Sequence, residues 1–187
     1  VNAILTTPNS ETNLPDSTPH PFRRVVLTGT ECSGKTTLGK LLAEQLCWPM
    51  VEEAARTHPD VLEGKVTLDT FDELHELQTE ACAELARSGH PGVVCDTGDL
   101  VLGIWSDVAI GQPWHPLMPP WPPVDLYILC PPLTDWEMDP LRTMPQLEDR
   151  QRLHEVYVQS LTHRHHIVIE GETPEDRLSF LMKAWPW

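Results

Sequence analysis

Two spacings of apolar residues alternate along the chain: short continuous runs, and stripes that recur every three to four positions. Arg24-Val-Val-Leu-Thr28 is a run of buried-strand length, and it opens into a glycine-rich turn. Leu38, Leu41, Leu42 and Leu46 then recur at helical spacing across Lys35 to Leu46. Pro49-Met50-Val51 begins a second short strand that ends in Glu52-Glu53. Asp69 is placed to cap a helix from about Thr70 to Ser88, with Phe71, Leu74, Leu77, Ala81 and Leu85 on one face and Gly89 just past its end. Val93-Val-Cys-Asp96 is a third strand, apolar until its carboxylate, and Leu100 to Ile110 is a helix. Gln112 to Pro123 is so dense in Pro and Trp that regular helix is excluded. Asp125 to Cys130 is a fourth strand, Leu133 to Met144 is irregular, and Leu147 to His163 is helical. His166 to Glu170 is a fifth strand. Pro174 suits the first turn of a last helix that turns Leu178, Phe180 and Leu181 inward. No internal repeat interrupts this order. Residues 1 to about 21 are rich in Thr, Pro and Asn and are expected to form a disordered tail, leaving 22–187 as one domain.

Gly29-Thr30-Glu31-Cys32-Ser33-Gly34-Lys35-Thr36 fits the phosphate-loop pattern G-x-x-x-x-G-K-[ST] in full. The glycines let the backbone fold into a nest of inward N–H groups, and the following helix adds its positive end. Lys35 is within reach of the β- and γ-phosphates, and the Thr36 hydroxyl can ligate Mg²⁺. Thr37 completes the expected ATP-contacting stretch. The motif follows an apolar strand and opens an amphipathic helix, the context its mechanism requires. The strand–helix alternation around it predicts an α/β, three-layer P-loop kinase-like fold. Its five-stranded, mostly parallel sheet should carry the ligand at the carboxyl ends of the strands.

Carboxylates stand at those same ends. Asp96 closes an apolar strand, which suits either an Mg²⁺-organising aspartate or an ordinary helix cap. Asp99 is an acceptor-side candidate or a solvated acid in the first turn of a helix. Glu52 and Glu53 end the second strand, where a carboxylate can take an acceptor's proton. Arg56 follows Glu53 by one turn, so both can face one pocket or form a surface pair. His163, His165 and His166 cluster near a helix end without partner ligands at metal spacing, as basic residues there commonly do.

The formal net charge of −15 argues against nucleic acid or an anionic membrane as the main partner, though not against a nucleotide held by a few N–H groups and cations. Five cysteines without a C-x-x-C pair read as reduced thiols of a cytoplasmic protein. No apolar run is long enough to span a bilayer, and no secretory leader is expected. Oligomeric state has no signal in the sequence.

Beyond the phosphate loop, several further pieces stand in order: Glu53-Ala-Ala-Arg56, Val94-Cys-Asp96-Thr97, Asp125-Leu-Tyr-Ile-Leu-Cys130, Trp136-x-x-Asp139-x-x-Arg142, the helix carrying Arg150, and Glu170-Gly171…Arg177. On these pieces, Arg23 to Trp185 resembles the ribosylnicotinamide kinase domain of the bacterial bifunctional nicotinamide-nucleotide adenylyltransferase/kinase regulators. It resembles more closely the stand-alone AAA-type ATP-binding proteins grouped with that domain. The resemblance implies a lid over the phosphates at about 133–149, with Arg142, and Arg150 as a second candidate, bringing positive charge to the transferring phosphoryl group. Trp136 would pack the lid hinge or fill core. Two departures stand out. Gly98 occupies the place where the family often carries a second aspartate, with Asp99 one position later. Gln112 to Pro123 is unusual, and its Trp114, His115 and Trp121 either stack on a substrate ring or only pack. The adenylyltransferase activity is not carried over, since about 22 residues precede the first strand.

The expected function is an ATP- and Mg²⁺-dependent kinase acting on a hydroxyl of a small nucleoside-like acceptor, ribosylnicotinamide first. Lys35, Glu53, Asp96 and Arg142 would carry the chemistry, and Glu53, Arg56 and Asp99 would face the acceptor. The competing expectation is a nucleotide-dependent ATPase or switch with a protein partner and no small-molecule acceptor.

Overall fold

The computed structural model describes residues 21–187, so the expectation of a disordered tail falls almost wholly outside the described residues. Five strands form one sheet: β1 (Arg23–Thr28), β2 (Met50–Val51), β3 (Gly92–Asp96), β4 (Leu126–Leu129) and β5 (His166–Val168). Their spatial order is β2-β3-β1-β4-β5, and every pairing is parallel. Six helices connect or flank them: α1 (Lys35–Leu46), α2 (Pro59–Leu62), α3 (Leu68–Arg87), α4 (Asp99–Ile110), α5 (Leu147–Leu161) and α6 (Pro174–Lys183). None of the helices described is long and apolar enough to cross a membrane.

The three layers follow from strand alternation. Val25 and Leu27 of β1 point to one face, where they pack with Leu38 and Leu42 of α1 and Leu181 of α6. Val26 points to the other, among Cys82 of α3, Leu100 of α4, and Tyr157 and Leu161 of α5. A sheet buried on both faces needs continuous apolar strands, which explains why the central strands read as unbroken runs. Chain order reverses direction at β1, between β3 and β4, and the crevice at such a switch point is where an open parallel sheet takes its ligand.

Element boundaries differ from the sequence expectation in a few places, each for a local reason. Helix α3 begins at Leu68, because Thr67, not Asp69, caps it: the Thr67 hydroxyl accepts from Thr70 N, and the Thr70 hydroxyl accepts in return from Thr67 N. Its inner face carries Phe71, Leu74, His75, Gln78 and Cys82, whereas Leu77 is exposed. Gly98, not Asp96, stands at the N-cap of α4, which leaves the Asp96 carboxylate free for other partners. The short helix α2, opened by Pro59, was not anticipated.

Candidate active site

The phosphate loop takes the conformation its glycines allow. Gly29, Cys32 and Gly34 all have positive φ, +134°, +49° and +74°. A side chain at Gly29 would collide with the Cys130 carbonyl, so β1 and β4 can approach only around a glycine. The loop is held from behind by Arg177 of α6. Its buried guanidinium donates to Ser33 O at 2.7 Å through Nη1 and to Gly171 O at 3.0 Å through Nε. The Lys35 ammonium folds back on its own loop, donating to Thr30 O at 2.7 Å and Gly29 O at 3.1 Å.

Thr36 and Asp96 meet as the sequence placed them. The Thr36 hydroxyl donates to Asp96 Oδ2 at 2.5 Å, joining the first turn of α1 to the end of β3. Asp96 is buried, and its Oδ1 has no hydrogen-bond partner. A buried carboxylate oxygen without a partner is costly unless a cation or an ordered water completes it. This hydroxyl–carboxylate pair therefore fits a magnesium ion bound largely through phosphate and water oxygens, the usual habit of that ion.

A cavity of about 320 Å³ opens over the loop, lined by residues 29–37 and by Glu53, Arg56 and Arg142. Glu53 caps a single 3₁₀ turn, Ala54–Arg56, which brings Arg56 Nε back to 3.1 Å from Glu53 Oε2. Burial pushes the Glu53 carboxyl up. Asp96 and Asp139 push it further in the same direction, against the opposing charges of Lys35 and Arg56. Glu52 is exposed and faces away, because adjacent residues of an extended segment point to opposite sides.

Leu133 to Met144, within the segment expected to form a lid, lines the cavity through Leu133, Glu137, Leu141, Arg142 and Met144. The Glu31 side chain ties it to the phosphate loop: its carboxylate accepts from Thr143 N at 2.9 Å, Met144 N at 3.0 Å and the Thr143 hydroxyl at 3.2 Å. Glu31 thus offers its backbone to the nucleotide side and its carboxylate to the lid. Arg142 Nη1 donates to Glu137 O at 2.8 Å. Arg150 is fully buried, and its role corrects both expectations for it. It reaches neither the cavity nor Glu148 or Asp149. Its guanidinium bonds Met144 O, Pro145 O and Leu133 O at 2.9–3.0 Å and lies over the Trp136 ring, closing the two ends of the lid on each other. Trp136 thereby packs against the guanidinium that joins the two ends of this segment.

Asp99 is not brought to the cavity. Its carboxylate accepts from the Tyr127 hydroxyl at 3.4 Å, with Arg164 Nη1 3.8 Å away, on the other side of the start of α4. That partnership corrects the acceptor-side expectation for it. The Tyr127 phenol is pushed up to about 12, by burial first and the Asp99 charge second. Trp114 is buried against Phe71 and His75, and its Nε1 donates to Asp72 at 2.8 Å, so it packs and does not stack on a ligand. His115 and Trp121 are exposed and lie outside the cavity lining. His165 and His166 each engage a backbone carbonyl, of Asp125 and Arg164.

A family model described as the AAA domain matches residues 24–177. The chain belongs to the AAA domain family. No curated protein matches the chain closely enough to count as a relative. Among solved structures, a NadR protein in complex with NR is similar with a TM-score of 0.66 at 18% identity, over 90% of this chain and 52% of that one. A NadR protein in complex with NAD and AMP-PNP gives 0.65 at 17%, over 88% and 50%. Deoxyadenosine kinase from M. mycoides, with dCMP and a flexible dCDP bound, gives 0.57 at 12%, over 86% and 97%. This AAA domain spans about half the length of the NadR structures it matches. At such identities the likeness shows the fold, a P-loop kinase-like α/β architecture.

Gln78 and Tyr157 of this AAA domain's cavity had no motif to announce them. Gln78 is buried in the cavity wall and donates to the Thr97 hydroxyl at 3.1 Å; its signal was a polar residue on the apolar stripe of α3. Thr97 has a φ of +73°, unusual for a β-branched residue. Tyr157 closes the floor, its phenol raised by burial and by the Glu53 and Glu31 charges.

Proposed function

We propose that this AAA domain is an ATP-dependent small-molecule kinase that phosphorylates a hydroxyl of a nucleoside-like acceptor, with ribosylnicotinamide the first to test. The observation that carries this reading is the position of Glu53. Its carboxyl faces the same cavity as the phosphate loop, and burial raises it above the ordinary carboxylate range. A carboxylate so placed can take the proton of a hydroxyl docked against the phosphate loop. The bound ligands of the NadR structures, NR in one and NAD with AMP-PNP in the other, support the choice of first acceptor.

In this reading, Thr36 and Asp96 would hold the magnesium ion of Mg-ATP, which when bound would offset the negative charge of the transferring phosphoryl group. Lys35 exchanges the Gly29 and Thr30 carbonyls for phosphate oxygens. Glu53 takes the proton of the acceptor hydroxyl as its oxygen bonds to the γ-phosphorus and the bond to the bridging oxygen breaks, releasing ADP. Arg142 leaves Glu137 O for the transferring phosphoryl group, and the lid excludes water. Asp99 has no part in this scheme. Five free cysteines suit a reducing, cytoplasmic setting.

The division of labour is testable in acceptor-free ATP hydrolysis. Glu53→Gln should leave that slow leak intact while transfer falls by about 10²–10⁴-fold, the usual worth of a general base. Arg142→Ala should depress leak and transfer together, by about 10³-fold or more, because both share the phosphoryl transition state. A Glu53→Gln variant that loses ATP–Mg²⁺ affinity would move Glu53 to the metal site and make Asp96 the base candidate.

A further inference from the structure

The segment Trp136-x-x-Asp139-x-x-Arg142 gives Arg142 to the proposed reaction, but nothing in that scheme uses Asp139. Its carboxylate sits at a junction. Oδ2 accepts from Arg56 Nη1 at 3.0 Å and lies 3.9 Å from Arg142 Nε. Oδ1 accepts from Leu141 N at 2.9 Å, fixing the carboxylate to the lid's own turn. On the far side, Arg56 Nε is 3.1 Å from Glu53. Four charges therefore run in one line, Glu53–Arg56–Asp139–Arg142, from the acceptor-facing carboxylate to the lid guanidinium.

Among the described residues, the Arg56–Asp139 contact is the one hydrogen bond between the Ala54–Arg56 turn and the lid. Glu31 and the Leu133 N–H, which donates to Cys32 O at 2.8 Å, hold the lid to the phosphate loop, whereas Asp139 holds it to the wall that carries Glu53. Arg56 is 41% exposed in its side chain, and ion pairs that open to solvent add little to stability. What such a pair can do is set a position. Backbone N–H and the Arg56 guanidinium hold the Asp139 carboxyl below the usual carboxylate range, so it stays charged across the working pH range.

We infer that Asp139 is a positioning residue that couples the acceptor site to lid closure, so that acceptor and nucleotide bind synergistically. The inference rests on the kinase reading above. An acceptor that orders the Glu53–Arg56 turn orders the lid through the same ion pair, and the lid carries Arg142 toward the nucleotide. Linkage then requires nucleotide to favour the acceptor by the same factor. Without the Asp139 charge, Arg56 has Glu53 as its remaining ionic partner, the lid keeps its bonds to the phosphate loop but loses its tie to the Glu53 wall, and the two sites bind independently.

The test is calorimetric titration of AMP-PNP with Mg²⁺ into the full chain. It is run alone and with saturating ribosylnicotinamide, adenosine, guanosine, cytidine or uridine, for wild type, Asp139→Asn and Asp139→Ala. In the wild type, at least one of these acceptors should tighten AMP-PNP by about fivefold or more, within the usual range of coupling between sites. Asp139→Asn should keep the acceptor-free affinity within about twofold while the gain from acceptor shrinks below about twofold. Asp139→Ala also removes the oxygen that Arg56 could still use, and should behave alike. A purely structural role in the lid would do the reverse, weakening acceptor-free binding and sparing the synergy. Synergy that survives in both variants overturns the inference. So does a wild type that phosphorylates an acceptor yet binds AMP-PNP no tighter in its presence, and that result leaves the kinase reading standing. A wild type that neither phosphorylates any of these acceptors nor shows synergy overturns both.

Discussion

Glu52 and Glu53 are adjacent carboxylates, equally good candidates on paper, and only Glu53 faces the cavity. The pattern of residues cannot choose between them, because the choice depends on which side of the chain the cavity forms. The Glu53 environment has a pH consequence. A base works in its ionised form, so transfer should fall as pH drops through the Glu53 pKa. Burial raises that pKa, so the acid limb of the rate profile should lie above the ordinary carboxylate range. A pH–rate series on wild type and Glu53→Gln checks this, and the limb should vanish in the variant. Lys35 makes the opposite kind of contribution. Its ammonium bonds loop carbonyls and supports no core, so Lys35→Ala should abolish tight ATP binding while leaving the thermal melt nearly unchanged. Equilibrium ATP titration beside a melt decides it. The phosphate loop itself was fully legible, since its chemistry demands fixed residues at fixed spacing. Gln78 and the true partners of Asp99 were not, because both depend on contacts across the fold.

At the scale of elements, the lid separates two arginines that the sequence left as parallel candidates. Arg142 stays at the cavity wall on exposed partners, and Arg150 turns inward to fasten the lid's ends. A basic residue in the first turn of a helix reads as solvated from local sequence. Only the fold brings the carbonyls of Leu133, Met144 and Pro145 to it. The two should therefore fail differently. Arg150→Met leaves buried carbonyls without donors and should cost about 2–4 kcal/mol, a fall in Tm of roughly 5–15 °C. Arg142→Ala should shift stability by no more than about 1 kcal/mol. Thermal melts of both variants make the comparison. The strands were legible because burial on both faces leaves unbroken apolar runs. The start of α3 was misplaced because Thr67 and Asp69 are both good caps, and the reciprocal bond from Thr70 decides between them. The Pro/Trp segment was legible only as irregular, and its Trp114 proves to be a wall of the α3–α4 core.

For the molecule as a whole, charge and fold pull in different directions. On the proposed reading, a chain of net charge −15 would take a triphosphate beside Glu31, Glu53 and Asp96, held by Lys35, the loop and the first turn of α1. The unpartnered Asp96 Oδ1 makes that arrangement unfavourable for bare ATP. Chelating Mg²⁺ with EDTA should therefore weaken ATP binding by about tenfold or more, as expected when a buried carboxylate loses its counter-ion. Titration with and without EDTA reads this directly. The all-parallel sheet with its switch point at β1 was predictable from strand–helix alternation, and the AAA domain family match agrees with it. Acceptor identity is a property of cavity shape, which no motif encodes. The measurement that bears most directly on the whole account is mass spectrometry of a reaction of the full chain with Mg-ATP and ribosylnicotinamide or a ribonucleoside panel, with ADP quantified in parallel. The account predicts a phosphorylated acceptor in amounts matching the ADP released, and ADP release that rises when that acceptor is added. Slow ADP release, indifferent to every acceptor and without a phosphorylated product, would contradict it and leave a nucleotide-dependent switch in its place.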